Sequence, residues 1–130
     1  MTFEKWQDRT ANRLTSSIRR TAGLDFDHSA TGYARVQFRL DEGGRPQAIA
    51  LAQPSSSRAI DRISVRAVRT MGRLTPLPSQ IGADSKFEAW IIVANDAWER
   101  DDMLSRLRTD HRAQTLARAG GEQPVLIASR

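Results

Sequence analysis

The strongest constraint on how this chain can fold is a switch to period-two alternation at Gly32. From there to Leu40, Ala34, Val36, Phe38 and Leu40 alternate with Tyr33, Arg35, Gln37 and Arg39. In an extended chain that spacing makes one face apolar and leaves the other, carrying two arginines and a glutamine, to water. Asp41-Glu42-Gly43-Gly44 follows, a run of residues that tolerate positive φ, and Gln47–Gln53 resumes with Ile49 and Leu51 directed inward. The pattern predicts a β-hairpin. Strands joined by so short a turn are antiparallel, so the fold class is α+β, an antiparallel sheet with helices on one face.

The flanking segments supply the helices. Phe3, Trp6, Thr10, Leu14 and Ile18 recur at spacings of three and four, one stripe of a helix that Thr2 can cap and Gly23 can stop. Ala22–Thr31 reads as a connector. Pro54 and Ser55-Ser56-Ser57 end the second strand and cap a second helix. Its apolar side holds Ile60, Ile63, Ala67 and Met71, and its opposite side holds Arg58, Arg62, Arg66, Arg69 and Arg73. This helix is expected to end near Gly72, with Leu74-Thr75-Pro76-Leu77-Pro78 extended after it, since a residue before proline avoids the helical region. Lys86–Ala94 predicts a third strand, apolar on both faces from Ala89 onward. On it Glu88, Trp90 and Ile92 share one face, with Phe87, Ala89, Ile91 and Val93 on the other. Asn95 or Asp96 caps a third helix that is expected to run to Ala119, where Gly120-Gly121 stops it, with the stripe Met103, Leu104, Leu107 and His111, and Pro124–Ala128 predicts a fourth strand.

With 130 residues, the chain has the length of one domain, and 39% hydrophobic residues exclude a disordered chain. No apolar run is long enough for a transmembrane helix, and the charged N-terminal segment Met1–Arg20 does not read as a signal peptide. The net charge is +5, and all but Lys5 and Lys86 of the 20 basic residues are Arg. A basic balance attracts anionic surfaces, although an arginine preference also follows from a GC-rich coding background.

Little in the chain points to catalysis. Without Cys there is no thiol chemistry and no thiolate metal site. His28 lies in the connector and His111 on a helix, and no Gly-x-Ser-x-Gly is present. Asp101, Asp102 and Asp110 fit a solvated helix face, and Asp101-Asp102 complement the dipole at the start of that helix. Gly43-Gly44 is followed by a strand rather than a helix, which makes it a turn and not a phosphate loop. The expectation is a non-enzymatic protein with no catalytic residue, no metal and no cofactor.

The order and residues resemble the C-terminal domain of the TonB/TolA superfamily of periplasmic energy transducers. The resemblance is carried by G-Y-A-R-V-Q-F-R-L-D-E-G-G-R-P-Q from Gly32 to Gln47, and by S-S-S-R-A-I-D-R-I-S-V-R-A-V-R from Ser55 to Arg69. It continues through Leu74-Thr75-Pro76-Leu77-Pro78 and the strand Lys86–Ala94, and covers roughly residues 3–94. It implies a β-β-α-β core at about residues 32–94 within a single domain, 1–130, with residues 95–130 as a C-terminal helix-strand extension.

By that resemblance the domain binds an extended peptide, the box of an outer-membrane transporter, by adding it as a strand to the edge formed by Phe87, Glu88, Ala89, Trp90, Ile91, Ile92 and Val93. The chain departs from the family in having Ser29-Ala30-Thr31 in place of a Tyr-Pro segment, and in its extension past Ala94. Val125–Ala128 is a candidate cap for the Trp90 edge, within the chain or in a partner chain, since an open apolar edge invites aggregation, and such a cap would block or autoregulate peptide recruitment. Resemblance implies the periplasm, whereas the absence of a signal peptide or anchor in the sequence reads as cytoplasmic. Two other readings stand beside peptide capture: a nucleic-acid-binding module using Arg58, Arg62, Arg66, Arg69 and Arg73, and a homodimer joined through sheet edges.

Overall fold

The computed structural model describes residues 2–22, 31–117 and 124–129. The expected stops Gly23 and Gly120-Gly121, and His28 of the connector, lie outside the described residues. In chain order the elements are α1 (Phe3–Ala22), β1 (Gly32–Leu40), β2 (Pro46–Gln53), α2 (Arg58–Arg69), β3 (Phe87–Val93), α3 (Ala97–Ala117) and β4 (Val125–Ala128). The α+β class holds, with all seven elements in the expected order.

The local chemistry that starts each element is visible. Thr2 Oγ1 accepts from the Lys5 amide at 3.2 Å to open α1. The Ser57 side chain accepts from the Ile60 amide at 3.3 Å to open α2. Asp96 Oδ1 accepts from the Glu99 amide at 2.7 Å, which makes Asp96 rather than Asn95 the cap of α3. In the β1–β2 turn, the Asp41 carboxylate accepts from the Arg45 amide at 2.9 Å and Gly44 takes φ +82°. That conformation strains any side chain, and a Cβ at Gly44 would stand 2.6 Å from the Thr75 side chain.

Two features of the sheet differ from expectation. Its order is β2-β1-β3-β4, with β1 antiparallel to β2 and β3 but β4 parallel to β3, so the sheet is mixed. Its helices also lie on both faces. Trp6, Leu14 and Val68 of α1 and α2 join Val36, Phe38, Phe87, Ala89, Ile91 and Ile127 in one core. Trp90 and Ile92, which point the other way, pack with Leu107 and the partly buried Met103 and Leu104 of α3. The alternation along β3 is the reason: a strand apolar on both faces needs a layer on each side.

Candidate functional site

Each expected site residue has a definite place, and the first to move is the binding edge. Phe87, Glu88, Ala89, Trp90, Ile91, Ile92 and Val93 form β3, but β3 is an interior strand and not an edge. One flank pairs with β1 from Gly32↔Val93 to Phe38↔Phe87, and the other with β4 from Phe87↔Val125 to Trp90↔Ala128. The cap proposed for Val125–Ala128 is therefore in place. The physical reason is that β3 exposes backbone donors and acceptors on that flank, and the C-terminal segment satisfies them.

The seat beside β3 is closely defined. The Val125 amide donates to Lys86 O at 2.8 Å and the Ser129 amide to Trp90 O at 2.9 Å. One step beyond, the Ile92 amide donates to Ser129 Oγ at 3.0 Å. Ile127 is 0% exposed among Trp6, Phe87 and Ala89, whereas Leu126 and Ala128 turn toward Trp90 and Leu107. The segment paired there, Val125–Ser129, is thus extended, with the aliphatic side chain of Ile127 at its centre. Its outer flank is tied as well: Gln7 Nε2 donates to Leu126 O at 3.0 Å, and the Arg100 guanidinium donates to Ser129 O.

Under α3 lies a buried polar cluster. Arg35 was expected on the wet face of the hairpin, but α3 covers that face, leaving Arg35 2% exposed and Glu88 0%. Arg35 donates to Glu88 Oε1 at 2.9 Å, Gln37 to the same oxygen at 3.0 Å, and Trp90 Nε1 to Oε2 at 2.8 Å. Burial pushes the Glu88 carboxyl up. The hydrogen bonds from Arg35, Trp90 and Gln37, with the Arg35 charge, outweigh it and hold the group below its ordinary range. Gln53 and Gln114 accept from Arg35, and Gln53 in turn donates to Asp110 at 3.1 Å. His111 Nδ1 stands 3.7 Å from Glu88 Oε2, with its ring edge-on to Trp90. The cluster joins α3 to the sheet. A signal existed in the sequence, since Arg35 and Gln37 share a face of β1 that meets the Glu88 face of β3, but only strand pairing makes them neighbours.

The basic residues are exposed as expected, with one change. Arg58, Arg62, Arg66 and Arg69 lie on α2, but the helix ends at Arg69, and Arg73 stands beyond Gly72, whose φ is +84°. The left-handed turn redirects Arg73 onto the hairpin, where its Nε donates to Gly43 O at 2.8 Å. Arg73 instead joins Arg9, Arg13 and Arg20 of α1 in lining an open groove of about 690 Å³. Among the described residues no group of three His, Cys, Asp or Glu side chains is placed to hold a metal ion, and no helix is long and apolar enough to cross a membrane. No protein-family model, curated protein or solved structure matches the chain.

Proposed function

We propose that this chain is a non-enzymatic interaction domain of the TonB/TolA C-terminal type. It captures an extended segment by strand addition to β3, and β4 is the resident occupant of that position. The observation that carries the reading is the seat itself: four residues at the far end of the chain lie parallel to β3, held by backbone hydrogen bonds and the single buried anchor Ile127. Backbone pairing gives affinity whatever the side chains, and the anchor gives selectivity, which is the physics of peptide capture by a sheet. An incoming partner would be an extended peptide with an aliphatic residue at the Ile127 position, and it must displace β4 to bind. By resemblance, that partner is the box of an outer-membrane transporter and the compartment is the periplasm.

The test is fluorescence anisotropy with a labelled peptide of this chain's own sequence, Pro-Val-Leu-Ile-Ala-Ser-Arg, added to the full chain. Two variants loosen the resident strand: Ile127→Asp removes the anchor, and Ser129→Pro removes the amide that bonds Trp90 O. Each is expected to bind the peptide at least about tenfold more tightly than wild type, because the resident strand competes at high effective concentration. Equal binding by wild type and both variants, with helix content retained, contradicts the reading.

A further inference from the structure

The charge of this protein is segregated. α1 carries five cations and two carboxylates, α2 four and one, and Arg73 adds one more, so the layer they form holds ten cations against three carboxylates, a surplus of seven. The whole chain has a surplus of only five, which leaves everything else with a deficit of two. The basicity is thus a property of one helical layer, not of the protein at large.

Within that layer the arginines are arranged. Arg9, Arg13 and Arg20 fall on one stripe of α1, within roughly 40° at 100° per residue. With Asn12 and Ser16 beside them they face Met71, Gly72 and Arg73 across the groove. Two of the four guanidiniums are tied to main-chain carbonyls, Arg13 to Arg73 O and Arg73 to Gly43 O. Among the described residues no carboxylate forms an ion pair with any of the four. A Cβ at Gly72 would meet nothing within 4 Å, so the groove is open on that side. On the adjoining helix Arg62, Arg66 and Arg69 continue the field, all exposed.

We propose that this groove and the α2 arginines beside it bind the phosphodiester backbone of a nucleic acid. Guanidinium groups recognise phosphate by paired hydrogen bonds that ammonium groups do not make, and the four cations that line the groove, Arg9, Arg13, Arg20 and Arg73, are all guanidiniums. Arg9 and Arg13 are spaced by about 6 Å of helix rise, close enough for their guanidiniums to engage neighbouring phosphates of one strand. A hydrophilic polyanion fits better than a membrane surface, because interfacial helices present apolar side chains among their cations. Here the one exposed large hydrophobic residue among those described is Trp98, 78% exposed, on α3 across the sheet. The site lies on the opposite face of the sheet from α3, away from the Arg35–Glu88 cluster, and does not depend on the strand-capture reading.

The experiment is anisotropy titration of a labelled duplex of about 20 base pairs with the full chain over a salt series. Four groove contacts give a log–log salt slope near −3.6 at about −0.9 per phosphate. Arg9→Glu with Arg20→Glu, both exposed positions, should weaken binding at least tenfold. The uncharged pair Arg9→Gln with Arg20→Gln should weaken it less. The same charge change on α3, Arg108→Glu with Arg112→Glu, should change it less than threefold. Circular dichroism at each step confirms retained helix. No binding at 50 mM salt overturns the proposal, as does equal loss from the α1 and α3 pairs, or tighter binding to phosphatidylserine vesicles than to the duplex.

Discussion

Arg35 and Glu88 stand 53 residues apart in the chain and meet at 2.9 Å beneath α3, with the carboxylate wholly out of contact with water. The pair sits diagonally across the β1–β3 ladder, where Arg35 opposes Trp90 and Gln37 opposes Glu88. Among the described residues, its hydrogen bonds come from the sheet and from Gln114 of α3, so it ties that helix to a face that would otherwise be wet.

Removing one partner leaves a buried charge. Glu88→Ala is expected to cost about 3–5 kcal/mol in urea unfolding, because Arg35 loses its counter-ion while remaining covered. Arg35→Met combined with Glu88→Leu should recover most of that loss, since both charges go together. Additive losses in the double variant would show that the two side chains act separately.

The same carboxylate sets an acid limit. Glu88 titrates below the ordinary 4.5 of glutamate in the folded chain, so the unfolded chain takes up the proton first as pH falls. Its contribution to stability is present above about pH 4.5 and is lost as pH drops through the lower folded value. Glu88→Gln should flatten that part of the stability–pH curve, measured by chemical unfolding between pH 3 and 7. An unchanged curve would place the acid sensitivity elsewhere.

How much of this was legible in the sequence depends on range. The hairpin, the caps at Thr2 and Ser57 and the stripe of Trp6 and Leu14 all come from spacings within one element, and each is where the spacing predicts it. The wet face assigned to Arg35 and the edge assigned to β3 depend on which distant segments pack against them. Nothing local tells Arg35 that α3 will cover it, or Ala89 that Ile127 will lie alongside. The groove is a middle case: the α1 stripe of Arg9, Arg13 and Arg20 is periodic, but Arg73 joins it only because the left-handed Gly72 turns the chain off the α2 axis.

The two turn glycines make a paired comparison. Gly44→Ala is expected to destabilise by about 1–3 kcal/mol, from the positive φ and from a Cβ 2.6 Å from Thr75. Gly43→Ala should stay within about 0.5 kcal/mol, because its Cβ would meet only the Asp41 carboxylate at 3.4 Å. Thermal unfolding of the two variants reads the difference, and equal shifts would refute the assignment of the strain to Gly44.

Ile127 carries the packing of β4. Ile127→Ala should cost about 2–4 kcal/mol, with the deleted methyl groups leaving a cavity in the core that Ile127 shares with Trp6 and Phe87. Hydrogen exchange at the Val125 and Ser129 amides should accelerate more than at the β1–β2 amides. Uniform acceleration across the sheet would mean that β4 does not open by itself.

The central claim, that β3 is a strand-accepting seat held by β4, is tested most directly by amide chemical shifts. Isotope-labelled full chain carrying Ile127→Asp is titrated with the unlabelled peptide Pro-Val-Leu-Ile-Ala-Ser-Arg. The account predicts shifts concentrated at Lys86–Val93 and the facing Trp6 and Gln7, with the Ile92 amide again protected from exchange. Shifts scattered over α2 and the β2 edge, or none while the hairpin amides keep their folded dispersion, would contradict it.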